Sequence, residues 1–263
     1  MPHRLLALVL VCSSATAVAD PEPAMPWYRG RAGQKRILHL SIAAGGGLMF
    51  LASETVLKPT LSADTCRWCA PSSFDEGVRN RLVWDDTRRA DVLSSIDAYV
   101  VAPIVGIGLL IASDYSAGFA RVLDDTIPVV ETVALTQLVI QTLKFAVGRQ
   151  RPFVRFGTDV VVEPDHNLSF PSGHSALGFA ITASAGMICH WRKYWTEPYV
   201  WGAGIALSLS TEYLRMAADK HYLSDVLVGG AIGLAGGLLI PRLMRGDIPI
   251  VPIQNGVALV TTF

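Results

Sequence analysis

Three short clusters hold the side chains in this sequence that could bind and move a phosphoryl group. The first runs from Lys144 to Arg151-Pro152. On one continuous helix a spacing of seven puts both cations on one face, roughly 10 Å apart along the axis, so they could meet on one anion. Pro152 would then set the Arg151 guanidinium at the helix end. A basic helix end meeting its own dipole has the same pattern. The second cluster is Pro171-Ser172-Gly173-His174, directly ahead of an apolar run. Ser172 suits a helix cap, Gly173 lets the backbone approach a ligand closely, and amides at a helix start bind phosphate. His174 in that first turn is placed to act as a general acid or base. Taken alone, the segment also reads as an ordinary capping turn. The third cluster is Arg215 with His221 and Asp225. Asp225 lies four residues after His221, on the same helix face. A carboxylate on one ring nitrogen leaves the other free to attack. A pair of this spacing equally serves stability alone.

Together the clusters supply three cations, two histidines, one carboxylate and a Ser-Gly turn, the parts needed to position a phosphoryl group and neutralise its oxygens. Their order, K-x6-R-P, then P-S-G-H, then R-x5-H-x3-D, resembles the signature of the type 2 phosphatidic acid phosphatase and vanadium haloperoxidase superfamily. The resemblance spans Lys144 to Asp225. It implies that Lys144, Arg151 and Arg215, with Ser172 and the Gly173 amide, grip the phosphate oxygens. It further implies that His221 attacks phosphorus while Asp225 holds it, and that His174 protonates the leaving alcohol and then activates water. No metal or other cofactor is needed for that chemistry. Vanadate, a phosphate mimic, would be an inhibitor here and a cofactor only in the haloperoxidase branch, whose chains are generally longer. The expected function is therefore a metal-independent phosphatase acting on a phosphate monoester or diphosphate, lipid-linked if the domain is membrane-embedded. Transfer to an acceptor other than water stays open. Both histidines and Asp225 are present, which weighs against a non-catalytic anion binder. One departure is Leu214, where the family usually has Ser, so one hydrogen bond is in question.

These residues must be held by long apolar elements. Hydrophobic residues make up 51% of the 263 and charged residues 17%, and Lys+Arg and Asp+Glu both number 22. A nucleic-acid binder would show a basic excess. Apolar stretches at 37–53, 98–113, 126–147, 175–190, 199–216 and 226–239 are too long for strands and read as helices. The expectation is an all-α bundle of five or six core helices, membrane-embedded, with a soluble periplasmic bundle as the alternative. Arg192 and Lys193 in a short link, and Arg242 and Arg245 after the last helix, fit cytoplasmic ends and a site on the periplasmic face of the inner membrane. Residues 1–19 read as a secretory signal or uncleaved anchor. A cleaved signal conflicts with Arg29, Arg31, Lys35 and Arg36 ahead of the first long helix, which favour the inside.

The remaining organisation follows from composition. Residues 20–97 carry the first helix and a hydrophilic insertion from Glu54 to Asp97, which contains Cys66-Arg67-Trp68-Cys69. Outside the cytoplasm that pair suits a small disulfide. Cys189 reads as a buried inert thiol. The expected phosphatase core is 98–246, followed by a β-prone tail, 247–263, with a hairpin signal at Asn255-Gly256. His166 reads as a loop histidine, with the substrate entrance as its other place, and Asp219 as a local acid that could substitute, though the i+4 spacing favours Asp225. Arg149 reads as surface charge near the site or simply as solvated, and His39 and His190, with no assigned partners, as structural.

Overall fold

Long apolar stretches joined by short polar links fold as antiparallel helices. The structure, a computed structural model, describes residues 29–158 and 163–245, and the backbone of 250–253 and 256–259. The expected signal segment, Cys12 and Asn255 lie outside the described residues. Helix α1 (Gly30–Ala52) runs on through a π-turn at Ser53–Leu57 into α2 (Lys58–Leu61), making one rod of 32 residues. The rod extends past the apolar stretch at both ends. Arg and Lys are good helix formers, and at the far end Glu54 pairs with Lys58 one turn later. Helix α3 (Ser73–Leu82) is capped by the Ser72 hydroxyl, which accepts from the Asp75 amide at 3.1 Å. Helix α4 (Thr87–Ile96) is capped by Asp86 and continues through π-turns at Asp97–Val101 and Ile104–Gly108 into α5 (Leu109–Asp114).

Both ends of the expected insertion are therefore helical, and only about residues 62–86 connect the two rods. The early turns of α4 need no apolar stripe, because Asp91, Ser94 and Ser95 face Arg215 and His174 instead of lipid.

Helix α6 (Phe119–Val147) ends where Gly148 takes a left-handed conformation, φ 59°. After it come α7 (Pro152–Phe156), a 3-10 turn at Pro164–Asn167, α8 (Gly173–Arg192), α9 (Glu197–Ala217) and α10 (Leu223–Arg245). Two short segments, Ile250–Ile253 and Gly256–Leu259, lie antiparallel to each other beyond α10.

Helix α8 is the centre of the bundle, flanked by α6, α9 and α10, while α1 covers α6 and the α4–α5 rod lies against α9. Ala98, Leu110, Val129, Ile181, Ala185, Cys189 and Val200 form the apolar core. Among the described residues four rods are long and apolar enough to cross a membrane: 30–61, 87–113, α6 and α10. Their outward faces carry Ile37, Leu48, Val139, Leu227 and Leu234, all exposed. In lipid, apolar faces gain nothing from leaving water, so close backbone packing has to hold the helices together. Gly229, Gly233 and Gly237 supply it along α10. A Cβ on Gly233 would strike the Ala176 carbonyl of α8, and one on Gly237 would come within 2.5 Å of the Ala183 Cβ.

Candidate active site

The three clusters meet at one end of the bundle, where α6 and α9 finish and α8 and α10 begin. Lys144 and Arg151 do not share a helix face, as their spacing predicts. Gly148 stops α6 between them. Arg67 donates to the Phe145 and Ala146 carbonyls, both at 2.9 Å, and so satisfies the helix end. Arg151 instead sits in extended backbone as the cap of α7, with Pro152 at the first helical position. The two cations still approach one locus. A Cβ on Gly173, at the start of α8, would lie 3.7 Å from the Lys144 ammonium and 3.3 Å from Gln137 Oε1. Gln137 Nε2 donates to the Gly173 carbonyl at 3.0 Å, fixing that turn against α6. Ser172 is fully buried and its hydroxyl accepts from Ser175, so it serves as the cap of α8.

His221 lies in the connection between α9 and α10 and is buried. Its Nδ1 donates to the Ser169 carbonyl at 2.7 Å, which leaves Nε2 as the acceptor, 3.3 Å from Arg151 Nη1. Burial first, then the Arg151, Arg215 and Lys144 cations, hold the ring well below the ordinary histidine value of 6.5. The imidazole is therefore neutral, with its free lone pair turned toward a guanidinium. Asp225 does not bond the ring directly as the i+4 spacing predicts; the nearest approach, Oδ2 to Nδ1, is 3.7 Å. The backbone carbonyl of Ser169 intervenes. Asp225 instead accepts from the Ser169 hydroxyl at 2.5 Å and the Tyr222 amide at 2.9 Å.

Arg215 donates to Asp91 at 2.5 Å and to the Ser94 hydroxyl at 3.2 Å, while its buried Nε finds no partner among the described residues. An unpartnered guanidinium N–H in a buried site is a donor held ready for an oxygen ligand. His174 Nε2 lies 3.5 Å from the Ser95 hydroxyl, and its ring meets Tyr99 edge-on at 4.9 Å. Arg151 also binds Asp165 at 2.8 Å and the Lys220 carbonyl at 3.1 Å. Burial pushes the Asp165 carboxyl up, but Arg151, Lys144 and Lys58 outweigh it and hold it well below the ordinary carboxylate range.

Residues 125–248 match the family model described as the PAP2 superfamily. That segment is a PAP2-superfamily domain. No curated protein matches it. Among solved structures it is similar to Aquifex aeolicus LpxE, at 22% identity over 65% of this chain and 96% of that one, TM-score 0.48. It is also similar to a transmembrane PAP2-type phosphatidylglycerolphosphate phosphatase from Bacillus subtilis, at 18% identity over 81% of this chain and 93% of that one, TM-score 0.46.

Around the superfamily motifs the chain builds a support that the sequence reading does not contain. Arg149, expected to be solvated, is 1% exposed. It binds Asp225 at 2.5 Å, Asp75 at 2.8 Å and the Ser224 hydroxyl at 2.7 Å. Its guanidinium lies between the Trp68 and Tyr222 rings, 3.8 and 4.3 Å from their centroids. Trp68 belongs to the Cys66–Cys69 loop, which is closed by a disulfide and docked through Trp68 to Gly148 and Gln150. A basic residue two positions before Arg151 was the only signal for this role. The carboxylates and rings that bury it are about 70 or more residues away in sequence.

The contacts place the remaining residues. Asp219 is engaged by Arg79 through two bonds of 2.6 Å, so it is not a reserve acid for His221. His166 is buried and accepts from the Glu163 amide at 3.0 Å. His39 pairs with Glu131 at 2.8 Å and His190 with Glu197 at 2.9 Å. Leu214, in place of the family's Ser, packs with Ala90, Ala217 and Trp84. Cys189 is a buried free thiol.

Proposed function

We propose that the chain is a metal-independent phosphatase that hydrolyses a lipid-linked phosphate monoester or diphosphate through a phosphohistidine on His221. The observation that carries this reading is the His221 ring, tied at Nδ1 to the Ser169 carbonyl and open at Nε2 toward Arg151. Substrate phosphate would displace that contact and take the guanidinium as its own ligand. Lys144 and the unpartnered Nε of Arg215 would complete the neutralisation of the phosphoryl oxygens.

In the first step the Nε2 lone pair bonds to phosphorus and the P–O bond to the leaving group breaks. His174 gives its proton to the departing oxygen. The arriving phosphate dianion favours the protonated imidazolium of His174. In the second step His174 takes a proton from water, the oxygen of that water bonds to phosphorus, and the P–N bond breaks. Inorganic phosphate leaves and His221 returns to its neutral form.

The membrane rods and their exposed apolar faces support a substrate presented from the bilayer. The disulfide loop lies at the catalytic end, and disulfides persist outside the reducing cytoplasm. That supports a site on the periplasmic face of the inner membrane, with Arg192, Lys193, Arg242 and Arg245 at the cytoplasmic ends. Phosphate release from purified protein in EDTA, with a panel of lipid phosphates beside a soluble aryl phosphate, tests the reading. Vanadate-sensitive release that His221→Ala lacks is the expected result. Full activity in that variant would remove the nucleophile. Bromide oxidation on adding vanadate, with no phosphate release, would place the chain with the peroxidases.

A further inference from the structure

Helices α6, α8 and α10 each carry a catalytic residue at one end and a charged residue about 20 residues away at the other. The pairs are Lys144 and Asp124, Gly173 and Arg192, and Asp225 and Arg245. At 1.5 Å per residue the separation is about 30 Å, the thickness of a bilayer's hydrocarbon core. The distal ends do not close against one another. Together with the start of α1 they surround a cavity of about 430 Å³, within the range of ligand pockets. Its polar wall holds four cations, Lys35, Arg36, Arg192 and Arg245, against two carboxylates, Asp124 and Asp125.

The carboxylates are committed. Asp124 binds Arg36 at 2.7 Å, and Asp125 binds Arg192 at 2.8 Å and the Tyr194 hydroxyl at 2.6 Å. The other two cations are held from α1 and α10. Lys35 donates to the Met244 carbonyl at 2.5 Å, and the Arg245 guanidinium lies 4.7 Å from the Trp191 ring centroid. His39, paired with Glu131, closes the inner end. Among the described lining residues, four cations stand against two carboxylates, beside the apolar Ile127, Ile188 and Met244. A charged rim over an apolar floor, at the depth of the membrane–water boundary, fits an amphiphile with an anionic head.

We propose that this cavity binds the phosphate headgroup of an anionic phospholipid of the leaflet opposite the active site, with the phosphate between Lys35 and Arg245. The site is separate from the catalytic one. It rests on the bundle crossing the membrane and not on the chemistry at His221.

The test uses the full chain in neutral detergent, in a His221→Ala background so that no lipid is consumed. Phosphatidylglycerol and phosphatidylcholine are titrated separately, and retained lipid is read by native mass spectrometry. Saturable retention of phosphatidylglycerol over phosphatidylcholine is expected. Lys35→Ala with Arg245→Ala should weaken it by about tenfold or more, from the loss of two interfacial cations. Added Arg151→Ala, at the catalytic end, should leave that retention in place. Equal retention in the Lys35→Ala, Arg245→Ala protein would overturn the site. So would loss on adding Arg151→Ala, since the lipid would then lie in the active site. Inorganic phosphate displacing the lipid at matched concentration would make the occupant a soluble anion and overturn the lipid class. Should the double variant not fold, unsubstituted protein is photolabelled in vesicles with a head-reactive phosphatidylglycerol. Labels on α1 and the end of α10 support the site, and labels confined elsewhere overturn it. Phosphate release by the Lys35→Ala, Arg245→Ala protein with His221 intact stays at the unsubstituted rate, so failure here and failure of the phosphatase reading give different results.

Discussion

Asp225 acts on His221 through Ser169: it accepts the Ser169 hydroxyl at 2.5 Å, while the Ser169 carbonyl receives the imidazole N–H at 2.7 Å. The carboxylate and the ring are 3.7 Å apart. The orientation of the proposed nucleophile is therefore set by a backbone carbonyl, and Asp225 fixes the residue that carries it. Ser169→Ala keeps the carbonyl and should lower kcat by about tenfold, the worth of one buried hydrogen bond to a charged group. Asp225→Asn should cost at least about 100-fold, because it also disturbs Arg149. A double-mutant cycle on kcat should show the two losses to be non-additive. Additive losses would mean that Asp225 reaches the ring independently of Ser169.

His221 also sets a pH dependence with a definite sign. Its folded pKa lies well below the ordinary value of 6.5 because of burial and the cations Arg151, Arg215 and Lys144. Below that value the unfolded chain binds a proton that the folded chain refuses, so stability falls as pH drops. Between about pH 7 and pH 5 the melting temperature should fall more steeply for the unsubstituted protein than for His221→Gln. Parallel curves would show that the ring takes up its proton in the fold as readily as in the unfolded chain. The same shift keeps the proposed nucleophile neutral, so the acid limb of kcat/KM assigned to it should lie below 6.5.

Arg149 has the largest predicted effect on stability. Removing it leaves Asp75 and Asp225 as facing buried carboxylates, a loss of about 3–5 kcal/mol. Arg149→Lys should not restore it, since one ammonium cannot bond both carboxylates and fill the space between Trp68 and Tyr222. Denaturant unfolding in detergent measures both variants. A lysine variant as stable as the original would show that charge alone suffices.

Trp68 tests the loop without touching a charge. Trp68→Ala removes a desolvated cation–π contact worth about 2 kcal/mol and uncovers Arg149. Thermal stability and kcat should fall together, with KM less affected. A change in KM alone would place Trp68 in substrate binding.

Gly229 links helix packing to chemistry. A Cβ there would strike the Ser172 carbonyl, so Gly229→Ala must move α10 or the Ser172-Gly173 turn. Turnover should drop by about tenfold or more, as expected when catalytic geometry shifts by a fraction of an ångström. Gly202, which has open space, provides the control: Gly202→Ala should change nothing measurable.

What was legible in the sequence is what a local pattern can carry. The apolar runs place the helix centres, and the three clusters place Lys144, Arg151, His174, Arg215 and His221 at one end of the bundle. Helix ends were less legible, because Arg31 and Glu54 extend α1 and α2 by propensity and pairing, without hydrophobicity. The shared helix face drawn for Lys144 and Arg151 failed because seven residues imply a face only if the helix continues, and Gly148 stops it. Asp75, Asp91, Ser95 and Trp68 were not legible as site residues at all. Their partners lie on other helices, and tertiary packing alone brings them together.

The residues matched to the superfamily begin at 125, and those last four residues all precede them. A chain trimmed to the matched segment would keep every motif residue. It would expose Arg149 on the side where Asp75 and Trp68 had covered it, and leave Arg215 without Asp91. In a shuffling experiment, then, segment 62–101 has to travel with the motifs it supports: a graft of the motif region into another host is expected to yield an intact signature and an idle enzyme.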